Sequence, residues 1–183
     1  MAGITLKSAE DLLPEAERIV SCLSAQLQSL APDADVHHIG ATAIAGALTK
    51  GDVDILLRVS APRFQATVKV LSEHFAVKQA SNWTAEFASF GDDVGYQLPV
   101  GIQVMVKDSN SDFLLYLRDY FRSRPAALRE YNQLKVAHAN AGAEDYWGAK
   151  DEFLAKILVS RNQGCRILSD QSTLPTPPGA SAL

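Results

Sequence analysis

The chain has 183 residues, with 17 Lys or Arg against 21 Asp or Glu and a net charge of −4. A hydrophobic share of 47% and a charged share of 21% are ordinary for one soluble globular domain, and no apolar run approaches the length of a membrane span. The acidic balance argues against a general nucleic-acid binder, which needs a basic face, but leaves room for a local basic pocket.

Met1 to Leu6 lack the charged and apolar regions of a signal peptide. Cys22 and Cys165 are too far apart for a short-spaced metal knuckle. Reduced thiols and a cytoplasmic setting are the expectation.

Ala16, Ile19, Val20, Leu23, Leu27 and Leu30 recur at helical spacing and predict a first helix from about Pro14 to Leu30. Proline is best tolerated in a first turn, so the helix is expected to start near it. A turn over residues 31–35 leads to a short strand, Val36 to Ile39, which ends at Gly40. Ala43 to Leu48 reads as a brief helix. Asp52 to Val59 reads as the central strand. Ser60 is placed to cap a helix carrying Phe64, Val68, Leu71 and Phe75 on one face.

Thr84 to Phe90 and Tyr96 to Val106 read as two strands around a Gly91 to Gly95 turn, with Pro99 and Gly101 marking an irregularity or an edge. From Ser111 the period becomes helical: Ser111 to Arg122, Pro125 to about Asn140, and Ala143 to Arg161. This is an α+β pattern, a small mixed sheet with helices expected on one face and a helical C-terminal half. Residues 1–168 form the expected domain. Residues 169–183, rich in Ser, Thr and Pro, form an expected flexible tail.

The chemistry concentrates between His38 and Ile55. Side chains alternate along a strand, so Asp52 and Asp54 point the same way, opposite to Val53, Ile55 and Leu57. Adjacent carboxylates repel, and a divalent cation relieves them; hard oxygen ligands suit Mg²⁺. The Gly40 turn upstream offers backbone N–H groups to an anion.

These residues carry a resemblance. His38, Gly40, Thr42, Gly46, Lys50 and Asp54-Ile55 fall where the GrpB family has its His, Gly, Thr, Gly, Lys and Asp-Ile. Leu117 to Arg122, Tyr131 to Lys135, and Tyr146 to Lys150 with Phe153 resemble three further blocks, in order, between about Leu13 and Leu158. GrpB is a branch of the nucleotidyltransferase superfamily, whose fold is shared with DNA polymerase β and kanamycin nucleotidyltransferase. In some bacteria its domain is fused to dephospho-coenzyme A kinase.

The resemblance implies a nucleotidyltransferase-type sheet, a nucleoside triphosphate bound with Mg²⁺ or Mn²⁺, and an unidentified acceptor, a small molecule or a protein. Asp52 and Asp54 are the candidate catalytic residues and metal ligands. The candidate substrate-binding residues are His38, Gly40, Ala41, Thr42, Lys50, Arg118, Lys135 and Lys150. Arg122 reads as structural. Tyr131, Tyr146, Trp147 and Phe153 read as core, whereas Trp83 in its polar turn reads as a ligand contact. His37, His74 and His138 read as surface residues.

There are departures. Ala41 stands where the family has Ser, Ala45 where it has Pro, and Asp52 where it has an apolar residue. The superfamily's third carboxylate has no counterpart in the return strand, where Gln103 and Met105 stand; Glu86 and Asp108 are the substitutes to consider. These departures motivate the alternative, a non-catalytic nucleotide-binding or interaction module.

Overall fold

A computed structural model describes residues 4–92 and 95–166, the stretch 162–166 by backbone alone. A strand β1 (Lys7–Ser8) opens directly into helix α1 (Ala9–Leu30). Strand β2 (Asp35–Ile39) follows, then a 3-10 turn (Ala41–Ala43), β3 (Leu48–Thr49) and β4 (Val53–Val59). Helix α2 (Ala61–Ser72), β5 (Ala76–Lys78), β6 (Phe87–Asp92) and β7 (Val100–Val106) complete the middle. Helices α3 (Leu114–Ser123), α4 (Pro125–His138) and α5 (Ala143–Arg166) form the C-terminal half.

The main sheet has the order β2-β4-β7-β6-β5. Only β4 and β7 run parallel; the other neighbours are antiparallel. β1 and β3 pair separately, holding the start of α1 against the loop before β4. The α+β class is as expected.

Helices cover both faces rather than one. Val53, Ile55, Leu57 and Val59 of β4 pack with Ile19, Leu23 and Leu27 of α1 and with Phe64 and Leu71 of α2. On the other face Leu56 and Met105 pack with Leu117 and Phe121 of α3, Tyr131 of α4 and Leu154 of α5. A central strand buried on both sides reads as a nearly continuous apolar run, which is the case here apart from Asp54 and Arg58. Burying each large apolar side chain contributes about 1.5–3 kcal/mol, so the two cores clamp the sheet by its two faces between helical layers.

Helix α1 starts at Ala9, with Pro14 inside it. The proline removes one exposed intrahelical bond, while Ser8, Glu10 and β1 fix the earlier start. The Ser8 hydroxyl donates to Glu10, whose other carboxylate oxygen accepts from Gly46 N at 2.5 Å. Likewise α3 starts at Leu114, because Asp112 turns to Arg58 instead, 2.5 Å from its Nη2. The helix expected over Ala43 to Leu48 is a 3-10 turn followed by β3. The tail 169–183 lies outside the described residues. Among the described residues no helix is long and apolar enough to cross a membrane.

Candidate nucleotide site

Asp54 is the second residue of β4 and is 4% exposed. It fits only because two neighbours lack a Cβ. A Cβ on Gly40 would lie 2.4 Å from Asp54 Oδ2, and one on Gly101 would lie 2.5 Å from Oδ1. Gly40 also has φ +74°, a conformation that side-chain-bearing residues rarely adopt. Gly101 stands abreast of Asp54 in the parallel β4–β7 register. The irregularity expected at Gly101 is therefore a close approach in an inner strand, with no edge involved.

Gln103 follows two residues along β7 on the same face. Its Nε2 donates to Asp54 Oδ1 at 3.3 Å, and its own buried Oε1 has no partner among the described residues. Burial pushes the Asp54 carboxyl well above the usual range, and Asp52 adds to the effect; Gln103, Lys50 and Lys150 oppose it.

Asp52 sits immediately before β4 rather than within it. Its side chain is 27% exposed, and Lys50 Nζ lies 2.7 Å from Oδ2. Asp52 and Asp54 are therefore close enough to repel, yet unequal: one is open and paired, the other enclosed.

Thr42 is buried in the 3-10 turn, and its hydroxyl donates to Asp52 O at 3.2 Å. That spends its hydrogen, so His38 Nε2–H donates to the Thr42 oxygen, 3.0 Å away. Burial, then Arg122 and Arg118, hold the His38 imidazolium pKa down to about 4, so the ring is neutral near pH 7. Ile39, not His38, stands abreast of Asp54. His38 thus points to the opposite face of the sheet and reaches the acids only through the turn. His37 shares Asp54's face and is half-buried, with an unpartnered Nε2, contrary to the surface expectation.

Arg118 Nη1 donates to His38 O at 3.0 Å, and the guanidinium pairs with Asp119 at 2.8 Å. Arg122 donates to Ala43 O from Nε at 3.0 Å and from Nη2 at 2.7 Å. The two arginines that share a helix face therefore splint the two ends of the turn. Gly40, Ala41, Ile44, Leu117, Arg118 and Tyr131 line a recess between this turn and the helices.

The α4–α5 hairpin closes the other side. Lys135 is 3% exposed and bonds Leu48 O. Asn132, one turn earlier, accepts from Leu48 N at 3.0 Å and donates to Gly46 O at 2.7 Å. Lys150 is 1% exposed; its Nζ and that of Lys50 lie 4.4 Å and 4.5 Å from the Trp147 ring centre. Trp147 is thus half-buried beside two ammonium groups rather than simply core, a role that apolar periodicity does not reveal. Burial first, then Lys50, lowers the Lys150 pKa to about 8; burial first, then Lys150, lowers Lys135 to about 7.

Neither substitute for the third carboxylate is near. Glu86 and Asp108 lie beside the Val106 end of β7, whereas Asp54 faces Gly101. Five residue steps along the strand separate these ends, about 16 Å. Asp108 instead joins Asp112 and Asp35 around Arg58. Trp83, expected as a ligand contact, is half-buried: it packs on Phe90 with ring centres 5.1 Å apart and donates to Lys78 O at the margin of the core.

The donor set fits one hard cation better than two. Mg²⁺ is usually held through one or two carboxylates and fills its shell with water and phosphate oxygens. A cation is also the electrostatic complement of the enclosed Asp54. Among the described residues no group of three or more His, Cys, Asp or Glu stands ready to hold a metal.

The chain belongs to the GrpB family: the profile of the GrpB protein family matches residues 9–160. A UPF0157 protein of Vibrio cholerae is 30% identical over 155 residues, covering 82% of this chain and 79% of its own length. The crystal structure of GrpB from Enterococcus faecalis superposes with a TM-score of 0.61 at 18% identity, over 84% of this chain and all but 1% of that one, which shows the shared fold (99% covered). A fainter likeness links the chain to the Cid1 poly(U) polymerase, with TM-score 0.48 and 15% identity over 73% of this chain and 42% of that one. It is too faint to speak to chemistry.

Proposed function

We propose that this GrpB chain binds a nucleoside triphosphate with one Mg²⁺ or Mn²⁺ ion beside Asp52 and Asp54, and transfers a nucleotidyl group to a small-molecule or protein acceptor in the cytoplasm. The observation that carries the reading is the enclosed Asp54 carboxylate, walled by Gly40 and Gly101 and set beside a second carboxylate. The fold spends two Cβ-free positions, Gly40 in the turn after β2 and Gly101 in β7, on housing this acid, which costs stability and calls for a compensating role.

In this reading Asp52 and Asp54 hold the cation. A divalent cation there would neutralise charge developing on the phosphates during in-line attack. Lys50 leaves Asp52 for a phosphate oxygen. The backbone of Gly40 to Thr42 supplies N–H donors, and His38, Arg118 and Arg122 keep that turn in place. Lys135 and Lys150 supply further positive charge behind Lys50.

Titrating MgATP into Asp54→Asn tests the binding; unchanged affinity removes the site. A second reading, a nucleotide-binding or interaction module without turnover, is favoured by Gln103, a neutral amide bonded to Asp54 where a third ligand would be needed. Pyrophosphate release from labelled ATP with Mn²⁺ and a pool of cell metabolites separates the two.

A further inference from the structure

Buried polar groups normally have hydrogen-bond partners. Three on the α4–α5 hairpin do not. The Tyr131 hydroxyl is shut off from solvent, and no described residue bonds it; the same holds for Asp151 Oδ1. Lys150 is 1% exposed, and its ammonium meets the ring faces of Trp147 and Tyr146, at 4.4 and 5.3 Å, with no acceptor among the described residues.

These groups form one cluster. Lys135 Nζ lies 4.5 Å from the Tyr131 ring centre, and Tyr146 and Asp151 lie within electrostatic reach of the Tyr131 hydroxyl. Asp52 lies within reach of Tyr131, Lys135, Tyr146 and Lys150 alike. The cluster therefore opens toward the candidate site.

We propose that Lys150 and the Tyr131 hydroxyl form an oxyanion site that grips a terminal phosphate of the bound nucleotide, and does so without a metal. An anion is the ligand that answers the two unpartnered donors, the Lys150 ammonium and the Tyr131 hydroxyl. It gives the Lys150 ammonium its missing acceptor, accepts from the Tyr131 hydroxyl, and offsets the mutual repulsion of Lys50, Lys135 and Lys150. A lone water could satisfy the hydroxyl but would bring no negative charge to Lys150, whose ammonium has no direct acceptor among the described residues while Asp52, Asp54 and Asp151 offset part of its charge. This inference rests on the triphosphate reading for the owner of the phosphate.

The test is calorimetric titration of the full chain with tripolyphosphate in EDTA, with inorganic phosphate as a second probe. Tripolyphosphate should bind the unaltered protein. Tyr131→Phe should weaken it about tenfold, the worth of one hydrogen bond to a charged group. Lys150→Met should abolish it. Tyr131→Phe should at the same time leave the ligand-free protein as stable or more stable, because it deletes an orphan hydroxyl; a purely structural tyrosine would not show this split.

No tripolyphosphate binding in EDTA, equal binding by both variants, or binding of inorganic phosphate only would overturn the assignment. Loss of Mg-dependent ATP binding in Asp54→Asn, with tripolyphosphate binding retained, would support both sites as separate elements. Indifference of MgATP to Asp54→Asn would remove the metal site and leave the oxyanion site standing.

Discussion

Lys50 Nζ sits 2.7 Å from Asp52 Oδ2, so the more open of the two acids brings its own counter-ion. The pair is part-exposed on both sides and is worth at most about 1 kcal/mol of stability. Lys50→Met should therefore shift urea unfolding by no more than about that much. It should tighten Mn²⁺ binding measured without nucleotide, because a competing cation is gone, and weaken ATP. Weaker Mn²⁺ binding would mean that Lys50 does not compete for the acids.

Gly101→Ala places a methyl 2.5 Å from Asp54 Oδ1 in an inner strand that cannot move aside. The expected loss is about 1–3 kcal/mol in urea unfolding, as for overpacking. Asp54→Ala removes the atom that is struck. The double variant should therefore be more stable than the sum of the singles by about 1 kcal/mol or more, as expected for residues in contact. Additivity would show that the strand yields elsewhere.

Lys135 carries a pH signature. Its folded pKa, about 7, lies below the ordinary lysine value of 10.5. Between those values the unfolded chain holds a proton that the folded chain lacks, so Lys135 makes stability rise as pH rises from about 7 toward 10. Lys135→Met should remove that rise. Unfolding free energies of both proteins at pH 6.5, 8 and 9.5 should converge toward the unaltered protein's favour at the alkaline end. A constant difference across the range would refute the shift.

Arg122 gives both its bonds to one carbonyl, Ala43 O, at the end of the Gly40 turn. Arg122→Ala should cost about 1.5–3 kcal/mol in urea unfolding, the range for bonds to a charged donor. Tripolyphosphate affinity should not change, since Arg122 gives its bonds to Ala43 O and none to Tyr131, Lys135 or Lys150. Loss of that affinity at full stability would place Arg122 in the binding site instead.

Much of the site was legible in one dimension because short-range rules govern it. Asp54 and the apolar residues alternating with it follow from strand periodicity, and Gly40 follows from the turn that ends β2. Asp52 was read one residue too deep into the strand, the usual error at an element boundary. The face on which His38 lies was set by strand pairing: the β2–β4 register puts Ile39 abreast of Asp54, and no local pattern carries that information. Trp83 follows the same logic, since a polar turn can still fold its indole onto Phe90.

Length, periodicity and the ordered blocks by themselves determined the α+β class, the helical C-terminal half and the acid pair, because each depends on residues adjacent in the chain. Only the tertiary structure decided that helices cover both faces, that Gly101 and Gln103 enclose Asp54, and that Glu86 and Asp108 lie at the wrong end of β7. It also brought Tyr131, Lys135 and Lys150 beside Asp52 across some eighty to a hundred residues of chain. Contacts at that separation are set by strand register and helix packing, and neither is written in the spacing of residue types.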